Sequence, residues 1–109
     1  MSKDLDDVLT ALADPARRRV VDVLRVGPRR AGELADAVEM TGPAMSRHLR
    51  VLRDTGLVEV TAVAGDARLR VYRLRAEPFA ALRAWLDQVE AFWSDQLGSF
   101  AEYAKERAE

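Results

Sequence analysis

Hydrophobic residues in the first 40 positions recur every three or four residues, in three short runs separated by turn-forming residues. This period puts them on one face of a helix, so the pattern predicts helices over residues 3–13, 15–26 and 31–39. Asp14 followed by Pro15 is typical of a helix start, because Asp caps free backbone N–H groups and Pro lacks one. The apolar positions are Leu5, Val8, Leu9 and Leu12 in the first run, Val20, Val21 and Leu24 in the second, and Leu34, Ala35 and Val38 in the third.

The following segment, Thr41 to Gly56, predicts a helix with two different faces over residues 42–55. Thr41 has the side chain of an N-cap residue, and Gly56 provides the left-handed conformation at which helices commonly end. A helix, a short turn at residues 40–42 and a second helix form a helix-turn-helix, whose second helix enters the major groove of DNA. One face carries Met45, Leu49 and Leu52, and the opposite face and its borders carry Ser46, Arg47, Arg50 and Arg53.

After this helix the hydrophobic positions alternate, which predicts an antiparallel β-hairpin, or wing, over residues 58–74. Arg68 and Arg70 share one face of the returning strand, because alternate residues of a strand point the same way. Arg73 and Arg75 add positive charge further along it. A basic hairpin beside a groove-reading helix can reach the phosphates of the same duplex. Protection of the strand edges is the alternative role for these charges.

The last segment predicts one long helix over residues 78–107. Its length would be about 45 Å, which is more than a domain of this size can cover by itself. Trp85 and Phe92 form a second apolar strip, so the helix needs cover on more than one side, and a second copy of the chain in a two-fold dimer would provide it. The main seam contains Phe79, Leu82, Leu86, Val89, Trp93, Leu97 and Phe100.

Composition and charge narrow the chemistry. The 109 residues include no cysteine and one histidine, so thiolate and histidine-rich metal sites are excluded, and no cofactor is predicted. The net charge of -1 is unevenly distributed, with +4 over residues 41–75 and -4 over residues 76–109. The positive segment suits a polyanionic partner. No apolar run approaches the roughly 20 residues of a membrane span, and the N-terminus is charged, so we expect a cytoplasmic protein without membrane contact.

Four segments, ALADPARRRVVDVL, GELADAV, GPAMSRHLRVLRDTGLV and RVYRL, give the chain a family likeness. In order and spacing they resemble the ArsR family of winged helix-turn-helix bacterial repressors. The motifs cover about residues 9–75, and the pattern of the last helix extends the likeness to Trp93. The resemblance implies homodimers that bind operator DNA, with the first and last helices forming the dimer interface.

The chain also departs from that family in two respects. Many members sense metals through cysteines of the third helix or through Asp, His and Glu of the last helix. Here the third helix has no cysteine and the last has Asp87 and Glu90 but no histidine, so metal sensing of those types is not expected. Relatives often carry a polar residue such as Gln before the proline of the reading helix. Gly42 stands there in this chain, so one base contact is absent.

The sequence therefore predicts a single winged helix-turn-helix domain over residues 1–109, mainly α with a small β-hairpin and the order α-α-α-α-β-β-α. The predicted function is a homodimeric, sequence-specific DNA-binding regulator, a repressor that occludes a promoter, with operator DNA and a second copy as its partners. The predicted DNA contacts are Thr41, Pro43, Ser46, Arg47, His48, Arg50, Arg68 and Arg70. The predicted dimer contacts are Leu5, Val8, Leu9, Leu82, Leu86, Val89, Trp93, Leu97 and Phe100.

Several alternatives stay open at this level. His48 borders the apolar stripe, so it is either a packed histidine or a phosphate donor. The three consecutive arginines at residues 17–19 point in different directions, and at least two are expected to be structural or solvated. A protein-interaction module that binds a partner through the last helix is the alternative function. An enzyme is not expected, because no nucleophile, base and orienting group recur at a recognisable spacing. No motif in the sequence identifies the operator, the inducing signal or a small-molecule effector.

Overall fold

The computed structural model describes residues 3–108, and four helices, a hairpin and a long terminal helix follow one another along them. This order confirms the predicted fold class. The chain divides into two compact units, the first ending at Phe79 and the second beginning at Ala80. The elements are α1 (Lys3–Ala13), α2 (Pro15–Leu24), α3 (Ala31–Ala37), α4 (Gly42–Asp54), β1 (Val58–Val63), β2 (Asp66–Leu74) and α5 (Ala76–Ala108).

The core of the first unit is built from the apolar faces predicted for the first four helices. α1 packs on α2, α3 packs on α4, and α4 also contacts α2 and β1. Burying one leucine or valine side chain stabilises a fold by about 1.5–3 kcal/mol, so this set is the main source of stability. The buried residues are Leu5, Val8, Ala11, Val20, Leu24, Leu34, Ala35, Val38, Met45, Leu49, Leu52, Leu57 and Val58.

Local side-chain signals start two helices as predicted. The Asp14 carboxylate accepts hydrogen bonds from the backbone N–H groups of Ala16 at 2.8 Å and Arg17 at 3.3 Å, at the start of α2. The Thr41 hydroxyl accepts one from the backbone N–H of Ala44 at 3.3 Å, at the start of α4. These bonds satisfy N–H groups that have no partner within the helix. Both helices therefore begin at the residue expected from the sequence.

The ends of α3 and α4 share one hydrogen-bonding pattern. After α4, Gly56 has φ +79°, and the N–H of Leu57 donates to the carbonyl of Leu52 at 2.9 Å. After α3, Glu39 has φ +55°, and the N–H of Met40 donates to the carbonyl of Ala35 at 2.9 Å. Both are Schellman ends, which usually need glycine at the left-handed residue. The left-handed Glu39 ends α3 at residue 37, two residues before the predicted end. The prediction was wrong because no glycine marks this position.

α2 also ends earlier than predicted, at Leu24 instead of residue 26. The backbone tightens at this point, since the N–H of Val26 donates to the carbonyl of Val23 at 3.3 Å and that of Gly27 to the carbonyl of Leu24 at 3.1 Å. Bonds from residue i to residue i−3 are typical of a last, narrowed helical turn. The helical pattern of the sequence thus includes residues that belong to the turn.

Two of the three consecutive arginines of α2 hold the end of α1. The Arg17 guanidinium donates to the carbonyls of Ala11 at 2.7 Å and Thr10 at 3.3 Å. The Arg18 guanidinium donates to the carbonyls of Leu12 at 2.8 Å and Ala13 at 3.1 Å. The last carbonyls of a helix lack partners within it, and positive charge at that end is favourable. Arg17 and Arg18 are therefore structural, in agreement with the expectation that at least two of the three arginines are structural or solvated.

The wing is a two-stranded antiparallel sheet with a short additional partner. Val58 pairs with Leu74 and Val60 with Tyr72, and the register shifts between Ala62 and Val63. The backbone of Arg29, between α2 and α3, forms a bridge to Tyr72, with N···O distances of 3.1 Å and 2.7 Å. Tyr72 is therefore held from both sides at the base of the wing. The hairpin pattern in the sequence contains no signal for this bridge.

The second unit is the long part of α5 that begins at Ala80. α5 is helical over 33 residues and begins two residues before the predicted start. Leu82 and Trp85 are half-buried, but the large apolar side chains that follow are exposed, up to 70% for Phe100. No helix of residues 3–108 has the length and apolar character needed to cross a membrane. The exposed apolar residues are Leu86, Val89, Phe92, Trp93, Leu97, Phe100 and Tyr103.

Candidate nucleic-acid interface

The exposed face of α4 is fixed by the burial of its opposite face. Met45, Leu49 and Leu52 are almost completely buried and anchor the helix in the core. Since a helix turns by about 100° per residue, this anchoring presents another set of side chains to solvent. These are Ser46, Arg47, Arg50 and Arg53, all of them exposed.

The arginines of this face are not neutralised by the protein. Within residues 3–108, Arg47, Arg50 and Arg53 form no ion pair. Three guanidinium groups over two helical turns make a concentrated positive surface, which attracts anions. Each guanidinium offers five N–H donors in a fixed planar arrangement that fits a phosphate or the edge of a guanine.

The arginines of the wing differ from one another in their partners. Arg73 donates to the carboxylate of Glu59, its cross-strand neighbour, and Arg75 lies 3.9 Å from the other oxygen of that group. Arg68 is 95% exposed and lies 3.8 Å from Asp66. Glu59 and Glu77, which lies 3.9 Å from Arg75, thus compensate the positive charge at the base of the wing. Nearer the tip, the exposed ion pair with Asp66 compensates Arg68 only weakly.

Arg70 is the wing arginine without an ion pair among the described residues, and it is exposed to solvent on the middle of β2. The carboxylate of Asp66 accepts the backbone N–H of Arg68 at 3.0 Å, which stabilises the turn that precedes both residues. The two wing residues predicted to contact DNA are therefore both accessible, and the turn beside them is held by a local hydrogen bond.

A cleft separates the end of α4 from the base of the wing. Its volume is about 400 Å³. Four of its residues were not among the predicted DNA contacts, and two of these four, Arg53 and Tyr72, carry hydrogen-bond donors on their side chains. Arg53 was visible on the helical pattern as a neighbour of the reading face, but the position of Tyr72 depends on the pairing of β2. The cleft is lined by Ser46, Leu49, Arg50, Arg53, Asp54 and Tyr72.

The other predicted contacts lie at the start of α4 and in its second turn. Thr41 and Pro43 are exposed, and the hydroxyl of Thr41 is engaged in the helix cap. His48 is half-buried and lies near Asp14. Partial burial pushes the pKa of Asp14 upward, but hydrogen bonds from the backbone of Ala16 and Arg17, the charge of Arg17 and the electrostatic effect of the nearby His48 outweigh it and lower that pKa. This neighbourhood favours the packed alternative for His48.

The predicted dimer residues fall into two groups. Leu5 and Val8 are 8% and 3% exposed, so the side chains keep almost no surface for a partner, and Leu9 is half-buried. The amphipathic pattern of α1 marks its inner face, which is the reason that the sequence singled out these positions. Leu82 is half-buried, whereas the remaining residues on α5 are exposed. They are Leu86, Val89, Trp93, Leu97 and Phe100.

Side chains able to bind a metal ion are dispersed in the part of the chain that the structure describes. Within residues 3–108, no group of three or more His, Cys, Asp or Glu side chains is close enough to hold a metal ion. Asp54 lines the cleft beside the reading face, and Glu59 on the wing already binds Arg73. The chemistry that this surface offers is therefore the binding of anions through arginine, serine and tyrosine side chains.

Comparison with known proteins identifies relatives over most of the chain. The sequence model of a family described as a helix-turn-helix domain matches residues 12–61. The HTH-type transcriptional regulator Rv2034 of Mycobacterium tuberculosis is 41% identical over 97 residues, which are 89% of this chain and 85% of that protein.

Solved structures agree with this assignment. The crystal structure of an ArsR family transcriptional regulator, RHA00566, is 34% identical and superposes with a TM-score of 0.74, over 84% of this chain and 98% of that chain. The homodimeric winged helix-turn-helix DNA-binding domain Mb0332 of Mycobacterium bovis, a possible ArsR-family regulator, is 30% identical with a TM-score of 0.64, over 81% and 79% of the two chains. The chain belongs to the ArsR family of winged helix-turn-helix transcriptional regulators.

Proposed function

We propose that this chain is a homodimeric, sequence-specific DNA-binding repressor. The observation that carries the proposal is the exposed face of α4, on which Ser46, Arg47 and Arg50 stand without ion pairs among the described residues, opposite a completely buried stripe. A helix of this kind, following a short helix and a tight turn, fits the major groove of DNA. Arg47 and Arg50 pair with guanine edges or phosphates, and Ser46 donates to a base or a phosphate.

The remaining predicted contacts would surround this reading face. Thr41 and Pro43 in the first turn of α4 approach the edge of the groove, and His48 contributes at most from the border of the face. Arg68 and Arg70 of the wing bind phosphates, because their side chains are accessible and the turn before them is ordered by Asp66. Phosphate contacts fix the orientation of the protein on the duplex, whereas base contacts select the sequence.

The exposed apolar side chains of α5 support a homodimer. Large apolar patches on soluble proteins mark interaction surfaces, and a second copy of the same helix has the matching chemistry. The similar Mycobacterium bovis domain is homodimeric. In such a dimer the two reading helices would enter successive major grooves about 34 Å apart, on a pseudo-palindromic operator. Bound at a promoter, the dimer would repress by excluding RNA polymerase.

The double substitution Arg47→Ala and Arg50→Ala tests this function. The first step is selection of bound fragments from genomic DNA, followed by footprinting, which gives the operator. Each lost base contact should then weaken operator binding by about 1–3 kcal/mol, and the salt dependence should become less steep. Gel-shift titration measures both effects. Operator binding by the double variant equal to that of the parent protein would overturn this assignment of the reading helix.

A further inference from the structure

The cleft between α4 and the wing has the charge of a site for one phosphodiester. Arg50 and Arg53 contribute two positive charges and Asp54 one negative charge, so the lining has a net charge of +1. A phosphodiester of DNA carries one negative charge, and a guanidinium binds it through two parallel hydrogen bonds. The matched charge favours the diester monoanion over a free phosphate, whose second negative charge would face Asp54 without compensation.

The donors of the cleft have no partners within residues 3–108. Neither guanidinium forms an ion pair there, and the hydroxyl of Tyr72 takes part in no hydrogen bond. The arginines at the base of the adjacent wing differ from Arg53 in this respect, because Arg73 and Arg75 both lie near the carboxylate of Glu59. Unused donors next to a reading helix are available to an external acceptor.

Tyr72 is fixed at this position by its backbone. It pairs with Val60 of β1 on one side and with Arg29 on the other, so the strand cannot slide without breaking both sets of hydrogen bonds. On α4, Arg53 follows Ser46 by seven residues and therefore lies on nearly the same line of the helix, two turns later. The rigid strand and the anchored helix hold their donors on facing sides of one opening.

We propose that this cleft binds one backbone phosphate of the operator, with Arg53 and Tyr72 as its donors. The inference deepens the proposed function, since it requires that α4 lies on DNA. Arg50 lines the same opening and adds the second positive charge that offsets Asp54. Arg53 and Tyr72 add affinity and set the depth of the helix in the groove, but they carry no sequence information.

Two conservative variants test the cleft, Arg53→Gln and Tyr72→Phe. Binding to the selected operator and to a scrambled duplex of equal length is measured by fluorescence anisotropy over a range of salt concentrations. Arg53→Gln should weaken both by about tenfold or more and reduce the slope of log K against log salt by about 0.9. Tyr72→Phe should weaken both by a few-fold with the slope unchanged, because no charge is lost. Arg83→Gln removes an equal charge from α5 and should leave binding unchanged.

Duplexes with a single neutral methylphosphonate at each successive position locate the phosphate. The parent protein should lose affinity at one position in each half-site, and Arg53→Gln should be insensitive to that same substitution. If Arg53→Gln and Tyr72→Phe bind as the parent does, or if Arg53→Gln alters the ratio of operator to scrambled binding, the phosphate cleft is overturned. The proposed function still stands in that case, provided that Arg47 and Arg50 remain essential. Failure of the parent protein to bind any DNA overturns both.

Discussion

α4 and α5 differ in what they do with their apolar side chains, which α4 buries and α5 exposes to solvent. α4 buries all of its apolar stripe within the first unit and turns arginines towards solvent, and Leu52 on it has no exposed surface. α5 leaves its large apolar side chains in solvent, where Leu97 is 61% exposed. The exposed face of each helix therefore indicates a different partner. The charged face of α4 attracts a polyanion, and the apolar face of α5 is stabilised by another apolar surface.

The largest expected effect concerns the apolar face of α5. Trp93→Glu places a charge in the middle of the proposed dimer contact, so the protein should become monomeric at micromolar concentration. The two half-sites would then no longer be bound together, and operator affinity should fall by about 10²- to 10⁴-fold. Light scattering measures the first effect and anisotropy the second. Ala91→Glu adds the same charge on the side of α5 that carries Asp87 and Asp95 and should change neither, whereas a Trp93→Glu dimer would contradict the interface.

A pair of matched leucine substitutions separates the two helices by their stability. Leu52→Ala creates a cavity in the closed core and should lower the free energy of unfolding by about 2–5 kcal/mol. Leu97→Ala removes surface that only a second copy covers, so its effect should depend on protein concentration. Urea unfolding at two concentrations, tenfold or more apart, distinguishes them. Equal losses for Leu97→Ala at both concentrations would show that this side chain is covered within one chain.

The wing should contribute less than α4, and by charge alone. Arg70→Ala should weaken binding to operator and scrambled duplexes by the same factor and reduce the salt slope by about 0.9. Arg73→Gln is the matched control, because Arg73 is already bound to Glu59 and should shift the slope less. Salt titrations of the three proteins provide the comparison. A loss restricted to the operator would make Arg70 a base contact.

The smallest expected effect comes from the carboxylate that restrains the base of the wing. Glu59→Gln releases the charge of Arg73 and leaves Arg75 with Glu77 as its carboxylate neighbour, so binding to scrambled DNA should tighten slightly and its salt slope should steepen. Stability should change by no more than about 1 kcal/mol, as for other exposed ion pairs. Anisotropy with the scrambled duplex is the measurement. Weaker binding by this variant would mean that Glu59 orders the wing.

Features with local signals were predictable from the sequence, and features that depend on pairing were not. Asp14, Thr41 and Gly56 mark helix ends through chemistry within a few residues, and the element order followed from them. The end of α3 was predicted wrongly because Glu39 adopts the left-handed conformation, which glycine or asparagine usually adopts at helix ends.

In the candidate site, too, the features with local sequence signals were predictable and those that depend on strand pairing were not. The exposed arginines of α4 follow from helical periodicity alone. The neutralisation of Arg73 by Glu59 requires the register of two strands, and the cleft requires Tyr72 to be placed beside α4. The burial of Leu5 and Val8 shows a further ambiguity, because an apolar stripe has the same pattern whether it faces the core or a partner.

The single backbone bridge between Arg29 and Tyr72 gives the wing a graded stiffness. At its base β2 is hydrogen-bonded both to β1 and to the backbone of Arg29, whereas beyond the register shift at Ala62 and Val63 it pairs, within the described residues, with β1 alone. A hairpin that is held at its base bends most easily near its free tip. If the wing binds DNA as proposed, Arg68 and Arg70 would lie on its more compliant part, and the wing would follow duplexes of different groove width while its base holds Tyr72 in place.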